Sequence, residues 1–306
     1  MQPNNATLRH ISPLRYPGGK GKVANFIKLL IIRNSLNGVK YIEPYAGGAS
    51  VALSLLLEGY VETIHINDLN RPVYEFWNAA IHQTDRFCAK ISDIPLDVDE
   101  WQRQRAIYND TESEGFDLGF ASFYLNRTNR SGIIAGGGVI GGLEQQGKWK
   151  IDARFNREGL RARIERLAGF GSKITVTMTD AIELINSLNS TKERRLLYLD
   201  PPYYVKGEGL YDNFYQHADH VMVAEAIHRT GGPWIVSYDA APEILDLYKG
   251  CESLRYSLGY SAAKASLGTE VMFFSPDLVQ PDVLSVSGIS NQTVLDARDS
   301  LQPELW

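Results

Sequence analysis

Asp200-Pro201-Pro202-Tyr203 follows directly on the apolar run 196–199 and joins a carboxylate, two fixed residues and an aromatic ring. Consecutive prolines lock φ and remove two backbone donors, so a carbonyl at such a corner can face a pocket without an internal partner. A carboxylate beside that carbonyl can accept both hydrogens of an exocyclic amine while the ring stacks on a base, as recognition of an extruded nucleobase requires. A surface turn that merely holds two prolines is the plainer account. A second constellation is the turn Pro44-Tyr45-Ala46-Gly47-Gly48-Ala49-Ser50, with Asp68 at 68 − 47 = 21 residues beyond Gly47. Glycines admit close approach of a ligand, and an acidic residue at about 20 positions' distance can hold ribose hydroxyls. The pattern departs from GxGxxG, which favours an adenosine without phosphates over a pyrophosphate. Taken alone, it is also compatible with an ordinary turn.

The third constellation is Arg15-Tyr16-Pro17-Gly18-Gly19-Lys20. A phosphate-binding P-loop needs a glycine where Leu14 stands and a Ser or Thr where Gly21 stands, so that reading fails. What remains is an aromatic ring, a turn and a lysine suited to a carboxylate or phosphate. His217, Asp219 and His220 lie close enough in sequence to suggest a metal, but Asp219 reads better as the N-cap of a helix over 221–227, and no metal is expected. Ser237-Tyr238-Asp239 ends another apolar run; a supporting role in a site and ordinary turn chemistry are both open.

These residues need a scaffold that brings the ends of several strands together. The run 41–43, the glycine turn and the helical pattern 51–58 closed by Gly59 read as strand, turn and helix, and 63–68 as a second strand ending on a carboxylate. That is the opening of a βαβ unit. From Arg71 to about Gly171 the alternation gives way to helical patterns and then to a glycine stretch, 132–142, that reads as loops or a hairpin. Short apolar runs then resume at 173–179, 196–199, 234–238 and 271–275. The expected fold is therefore α/β, with a catalytic domain made of 1–70 and 171–306 and an inserted, mainly helical domain at 71–170.

Composition narrows the function classes. Hydrophobic residues at 44% and charged residues at 22% exclude a disordered or fibrous chain. Residues 1–10 lack an apolar targeting core, and the run 26–32 is broken by Lys28, so no membrane segment is expected. Cys88 and Cys251 have no metal or redox spacing, which fits a reducing compartment. A net charge of −5 disfavours nucleic-acid binding over the whole surface. Yet 120–173 carries ten basic and four acidic residues, 10 − 4 = +6, so any such contact is local. A solvated helix face accounts equally well for 157–166 alone.

Arg15 to Lys20, Glu43 to Ser50, Asp68, Asp180 and Asp200 to Tyr203, in this order, resemble the Dam-type family of DNA adenine N6-methyltransferases, over about residues 14–275. The resemblance implies a Rossmann-like methyltransferase sheet, S-adenosylmethionine as methyl donor and duplex DNA as partner. It implies that Tyr16, Lys20, Asp68 and Asp200 help bind the cofactor, that Tyr45, Ala46 and Gly47 line its pocket, that Asp180 lies near its adenine, and that Asp200, Pro201, Pro202 and Tyr203 are catalytic. Ala49 stands where many relatives have a second glycine and Tyr16 where some have tryptophan. Leu125-Asn126-Arg127 resembles the start of the DNA-reading hairpin, but Thr128 onward differs, so no recognition sequence carries over. Arg15, Arg127, Asn129, Arg130, Lys148, Lys150 and Arg154 are the expected DNA contacts, since arginine can pair with guanine and asparagine with adenine. A bacterial or phage cytoplasmic setting is implied, and a monomer is compatible with it. Cytosine N4, an RNA adenine or a glutamine amide as acceptor, and a non-catalytic DNA-binding regulator of the same fold, are the competing readings.

Overall fold

The structure is a computed structural model describing residues 11–15, 20–205, 215–260, 266–283 and 286–300. Tyr16 and the glycines of the N-terminal motif, Gly18 and Gly19, lie outside the described residues. A seven-stranded sheet runs in the order β3 (Ile174–Thr177), β2 (Thr63–Asn67), β1 (Lys40–Glu43), β4 (Arg195–Leu199), β5 (Trp234–Asp239), β7 (Ser266–Phe274), β6 (Glu252–Tyr260). The first five are parallel, while β7 is antiparallel to both β5 and β6. The expected α/β sheet is present, and β6 and the first half of β7 extend it beyond the runs visible in the sequence.

Alternation along the strands assigns each residue to one of two apolar layers. Tyr41, Leu196, Tyr198 and Ile235 pack on one face, where α1 (Ala24–Arg33) and α2 (Ser50–Leu57) lie. Ile42, Leu197, Leu199 and Val236 pack on the other, against α8 (Ala181–Leu188), α9 (His217–Arg229) and α10 (Pro242–Leu247). Strands covered on both faces read as continuous apolar runs, which is why β4 was legible. Lys28, which interrupts the apolar run of α1, is buried but holds both oxygens of Glu58 at 2.8 Å. Among the described residues no helix is long and apolar enough to cross a membrane.

Between β2 and β3 lie α3 (Arg71–His82), α4 (Thr84–Asp93), α5 (Val98–Asn109), α6 (Gly115–Thr128) and α7 (Arg157–Ala168). Their phenylalanines, Phe76, Phe87, Phe116, Phe120 and Phe123, stack edge and face in one layer continuous with the α1–α2 face of the sheet. The helices thus share the core of the sheet. Where α6 crosses α3, Gly119 admits the contact: a Cβ there would run into the Glu75 carbonyl. After α6 the chain forms a small antiparallel ladder, with Asn129 bridged to Val139 and Arg130 N–H donating to Gly138 O at 2.9 Å.

One side chain locks the end of the sheet that the glycine turn leaves. Asn67, 1% exposed, donates to Pro44 O at 3.0 Å and Thr179 O at 2.9 Å and accepts from Thr177 Oγ1 at 2.7 Å and Thr179 N–H at 2.9 Å. All its bonding capacity ties β1, β2 and β3 at their C-terminal ends. Asn67→Ala leaves two buried carbonyls unpaired, and urea unfolding is expected to show a loss of about 3 kcal/mol. A loss below about 0.5 kcal/mol, the ordinary scatter of a surface change, would contradict the clamp.

Candidate active site

In parallel sheets, ligands bind beyond the C-terminal strand ends where the strand order reverses. Here that point lies between β1 and β4, which pair Lys40 with Arg195 and Ile42 with Leu197. The glycine turn leaves β1 and the Asp200 corner leaves β4, so two constellations separated by about 150 residues flank one crevice.

On the β1 side, Gly47 takes φ +45° and its N–H donates to Asp68 Oδ2 at 2.8 Å, while Asn70 N–H donates to Oδ1 at 2.9 Å. The spacing of 21 residues noted in the sequence is thus a direct bond. Burial raises the Asp68 pKa to about 6, with the two backbone N–H groups opposing. Ala49 occupies a left-handed conformation, φ 46° and ψ 30°, at the N-terminus of α2. Glycine takes that conformation without the Cβ penalty, which gives a physical reason for the glycine of many relatives. The Trp77 indole of α3 donates to Gly47 O at 2.9 Å, tying the turn to the inserted helices. Tyr45 shares a 3.2 Å hydroxyl contact with Tyr215, a residue the sequence reading did not single out. Burial raises the Tyr215 phenol, with its Tyr45 contact opposing and Asp180, Asp219 and Asp68 adding to the rise. Asp180 caps α8 through Oδ1, which accepts from Ile182 and Glu183 N–H.

On the β4 side, Lys20 comes in from the N-terminal segment. Its ammonium donates to the Tyr203 hydroxyl, to Ser237 Oγ at 3.1 Å and to Glu270 Oε2 at 2.7 Å. It also lies 3.1 Å from Asp200 Oδ1, close enough to pair but not aligned as a hydrogen bond. Burial works against the charge of Lys20, and Asp200 and Glu270 outweigh it, holding the pKa above the ordinary lysine value. Burial raises the Asp200 carboxyl to about 6, with Lys20 opposing and Glu270 adding to the rise. No group among the described residues donates to the Pro201 carbonyl. Tyr203 is largely covered, with its ring 4.9 Å from the ammonium.

Glu43, at the end of β1, is buried and accepts from Tyr41 Oη at 3.0 Å and Ala52 N–H at 3.1 Å. Burial lifts its pKa from 4.5 to about 8 despite those bonds. The unfolded chain ionises this group from about pH 4.5 and the folded chain only near 8. The contribution to stability is therefore full below 4.5 and is lost as pH rises toward 8, on the order of a few kcal/mol. Glu43→Gln is expected to flatten the decline in Tm between pH 5 and pH 8. Parallel curves for the two proteins would contradict this.

Of the two readings of Ser237-Tyr238-Asp239, the structure gives all three a place beside the site. Ser237 holds Lys20 and lies 2.7 Å from the Tyr256 hydroxyl, Tyr238 Oη meets His220 Nδ1 at 3.0 Å, and Asp239 accepts from Tyr204 and Val205 N–H at 3.0 and 2.9 Å. Asp219 is not the N-cap of α9. The helix begins earlier, Gln216 is the N-cap, and Asp219 returns its carboxylate to Gln216 N–H at 2.7 Å. Among the described residues no cluster of His, Cys, Asp or Glu could hold a metal ion.

The basic residues separate into two groups. Arg130, Lys148, Lys150 and Arg154 are exposed, and the exposed Trp149 stands between the two lysines. Arg127 is buried, donating to Arg154 O at 2.9 Å; burial lowers its pKa, and Arg163, Arg15 and Arg154 lower it further. Arginine remains cationic in such a place, so the cluster holds uncompensated positive charge. Asn129 faces inward: its amide accepts from Trp101 Nε1 at 2.7 Å and donates to Ile133 O and Ile134 O. Base contact through that amide would require those bonds to break. Asn126 exchanges two 2.7 Å bonds with the backbone of Arg15, fastening the segment that leads to Lys20 onto α6.

A family model described as D12 class N6 adenine-specific DNA methyltransferase matches residues 16–261. No curated protein matches the chain. Among solved structures, a candidate RNA methyltransferase from Pyrococcus horikoshii is similar at 13% identity, with 90% of each chain covered and a TM-score of 0.40. The rRNA methyltransferase AviRa from Streptomyces viridochromogenes is similar at 12% identity, over 90% of this chain and 95% of that one, with a TM-score of 0.41. Both are distant in sequence and in superposition, and neither bears on the acceptor.

Proposed function

We propose, for a chain that belongs to the D12 class of N6 adenine-specific DNA methyltransferases, that Asp200 and Pro201 receive the amine of an adenine extruded from duplex DNA. The observation that carries this is the corner after β4. There Asp200, 24% exposed and paired with Lys20, is followed in the chain by Pro201, whose carbonyl receives no donor among the described residues, at the strand-order reversal.

The residues present also fit the methyl donor of this family, S-adenosylmethionine. Asp68, bonded to the glycine turn, offers acceptor oxygens suited to ribose hydroxyls. One ammonium among two carboxylates, Lys20 with Asp200 and Glu270, leaves a net charge of −1, which suits a sulfonium. We assign cofactor binding to Lys20, Tyr45, Ala46, Gly47, Asp68 and Asp180, with Tyr16 assigned on the family resemblance alone. Bound S-adenosylmethionine supplies an electrophilic methyl group.

An adenine amine is a weak nucleophile because its lone pair is delocalised into the ring. The Asp200 carboxylate and Pro201 O accept its two N–H groups, favour a pyramidal nitrogen and so direct the lone pair out of the ring. With S-adenosylmethionine bound, the methyl carbon would exchange its bond to sulfur for one to nitrogen; the Asp200 carboxylate stabilises the positive charge that nitrogen gains and then takes one amine proton. Tyr203 braces the base position, and Pro202 stiffens the corner. Asp200 must be ionised, so turnover is expected to fall as pH drops through about 6.

Residues 71–170 form the proposed target-recognition domain. The exposed Arg130, Lys148, Lys150 and Arg154, with the part-buried Arg15, are assigned to backbone phosphates or base edges, while the buried Arg127 adds positive charge behind them. The family resemblance implies a bacterial or phage cytoplasmic setting. Transfer of tritiated methyl groups to duplex DNA, single-stranded DNA and RNA of the same sequence tests the acceptor. Duplex DNA is expected to be methylated fastest, with rates that fall steeply as salt rises; faster labelling of RNA would overturn the duplex reading.

A further inference from the structure

A lysine ammonium has three N–H donors. At Lys20 three acceptors take them: the Tyr203 hydroxyl, Ser237 Oγ and Glu270 Oε2. Asp200 Oδ1 lies 3.1 Å from the same nitrogen, so the ammonium is shared between two carboxylates. Glu270 takes the shorter contact, 2.7 Å, and Asp200 the longer. Glu270 is the charged member of the three acceptors and, like Ser237, is 0% exposed. It projects from β7, paired on both sides, where its cross-strand neighbours are Asp239 on β5 and Tyr256 on β6.

We propose that Glu270 is a positioning residue for methyl transfer: as second anionic partner of the Lys20 ammonium it keeps that cation from being drawn wholly onto Asp200, so the Asp200 carboxylate can accept from the target amine. This rests on the reading of Asp200 as the amine acceptor. Around Glu270 stand Lys20 from the N-terminal turn, Asp200, Tyr203 and Tyr198 from β4 and its corner, Ser237 and Asp239 from β5, and Tyr256 from β6. Lys20 is the sole cation in that set. Without the charge of Glu270 the ammonium is drawn to Asp200 as its remaining anionic partner, and the adenine amine must compete for the oxygen it needs. Glu270 also repels a charged Asp200. Its neutralisation thus makes Asp200 a stronger acid.

Glu270→Gln is expected to lower kcat by about 10- to 100-fold, the scale of a displaced catalytic group. Its S-adenosylmethionine Kd, measured by calorimetry, is expected to stay within about threefold, since the loss is in orientation rather than uniform binding. The acidic limb of its pH–rate profile moves to lower pH, which a purely packing role would not produce. Glu270→Asp, retaining charge, recovers part of kcat and keeps the limb near its wild-type position; it also serves as the test if the glutamine variant does not fold. Independently of turnover, side-chain 15N NMR at neutral pH is expected to show the Lys20 Nζ resonance displaced in Glu270→Gln, because one of its three acceptors loses its charge. A kcat within twofold of wild type, an unmoved acidic limb, an unmoved Lys20 resonance, or a Kd rising in step with the fall in kcat would each overturn the proposal. A wild-type protein that leaves DNA unmodified would count against the proposed function, while the Lys20 resonance would still decide the contact.

Discussion

Asp200→Ala is expected to reduce methyl transfer by at least about 10³-fold, roughly 4 kcal/mol of transition-state stabilisation. The protein should stay folded. Removing Asp200 does not strand Lys20, because the ammonium keeps Glu270 Oε2 at 2.7 Å, Ser237 Oγ and the Tyr203 hydroxyl. Removing a partly desolvated carboxylate also deletes a charge that burial penalises. Cofactor affinity is expected to change far less than kcat, because Asp68 and the glycine turn, on the β1 side of the crevice, keep their mutual bond. A folded Asp200→Ala protein with kcat within tenfold of wild type would remove Asp200 from the chemistry.

Lys20→Met produces a different and nearly as large effect. The single cation shared by Asp200 and Glu270 disappears, and two carboxylates face one another in a site where only 24% and 0% of their side chains are exposed. Breaking a buried pair by removing one partner is costly, and unfolding measurements are expected to show a loss of about 3 kcal/mol. Part of that cost is relieved when a carboxylate takes a proton. Lys20 holds the Asp200 pKa down and Glu270 pushes it up. The acidic limb of Lys20→Met activity should therefore lie above about 6, opposite in direction to Glu270→Gln. Residual kcat is expected to be lower than wild type by about 10²-fold. Limbs that shift the same way in both variants would contradict the shared-cation arrangement.

The parts of this site that were legible in the sequence are those whose chemistry is local. The Asp200 corner is contiguous and follows a fully apolar strand; the glycine turn and Asp68 are one βαβ opening apart, and the bond from Gly47 N–H to Asp68 realises that spacing. The inserted helices announced themselves by the loss of strand alternation at 71–170. Glu270 was not legible, because it meets Lys20 only when residues 250 positions apart are folded together. Its strand also showed only its second half, 271–275, as an apolar run. The neighbouring β6 is a polar-rich edge strand, Glu252–Tyr260, whose partner on one side is missing and whose sequence mixes serine and glycine with apolar residues. Asn67 was passed over for the same reason: nothing in its neighbours indicates that one amide will join the ends of three strands. Arg127 and Asn129 carried the right chemistry for DNA but lie at the end of α6, where packing against Trp101 and residue 154 turns their side chains inward. Side-chain direction, unlike residue type, depends on what the rest of the chain presents.

The central claim is that the corner Asp200-Pro201-Pro202-Tyr203 methylates adenine N6 in DNA. Its most direct test is to incubate wild-type and Asp200→Ala proteins, side by side, with S-adenosylmethionine and unmethylated bacterial duplex DNA, and to map N6-methyladenine by single-molecule sequencing. Modified adenines confined to one short motif in the wild-type reaction, and none above background with Asp200→Ala, are the expected result. Unmodified adenine in the wild-type reaction despite cofactor binding, or the same modified motif with Asp200→Ala, would contradict it.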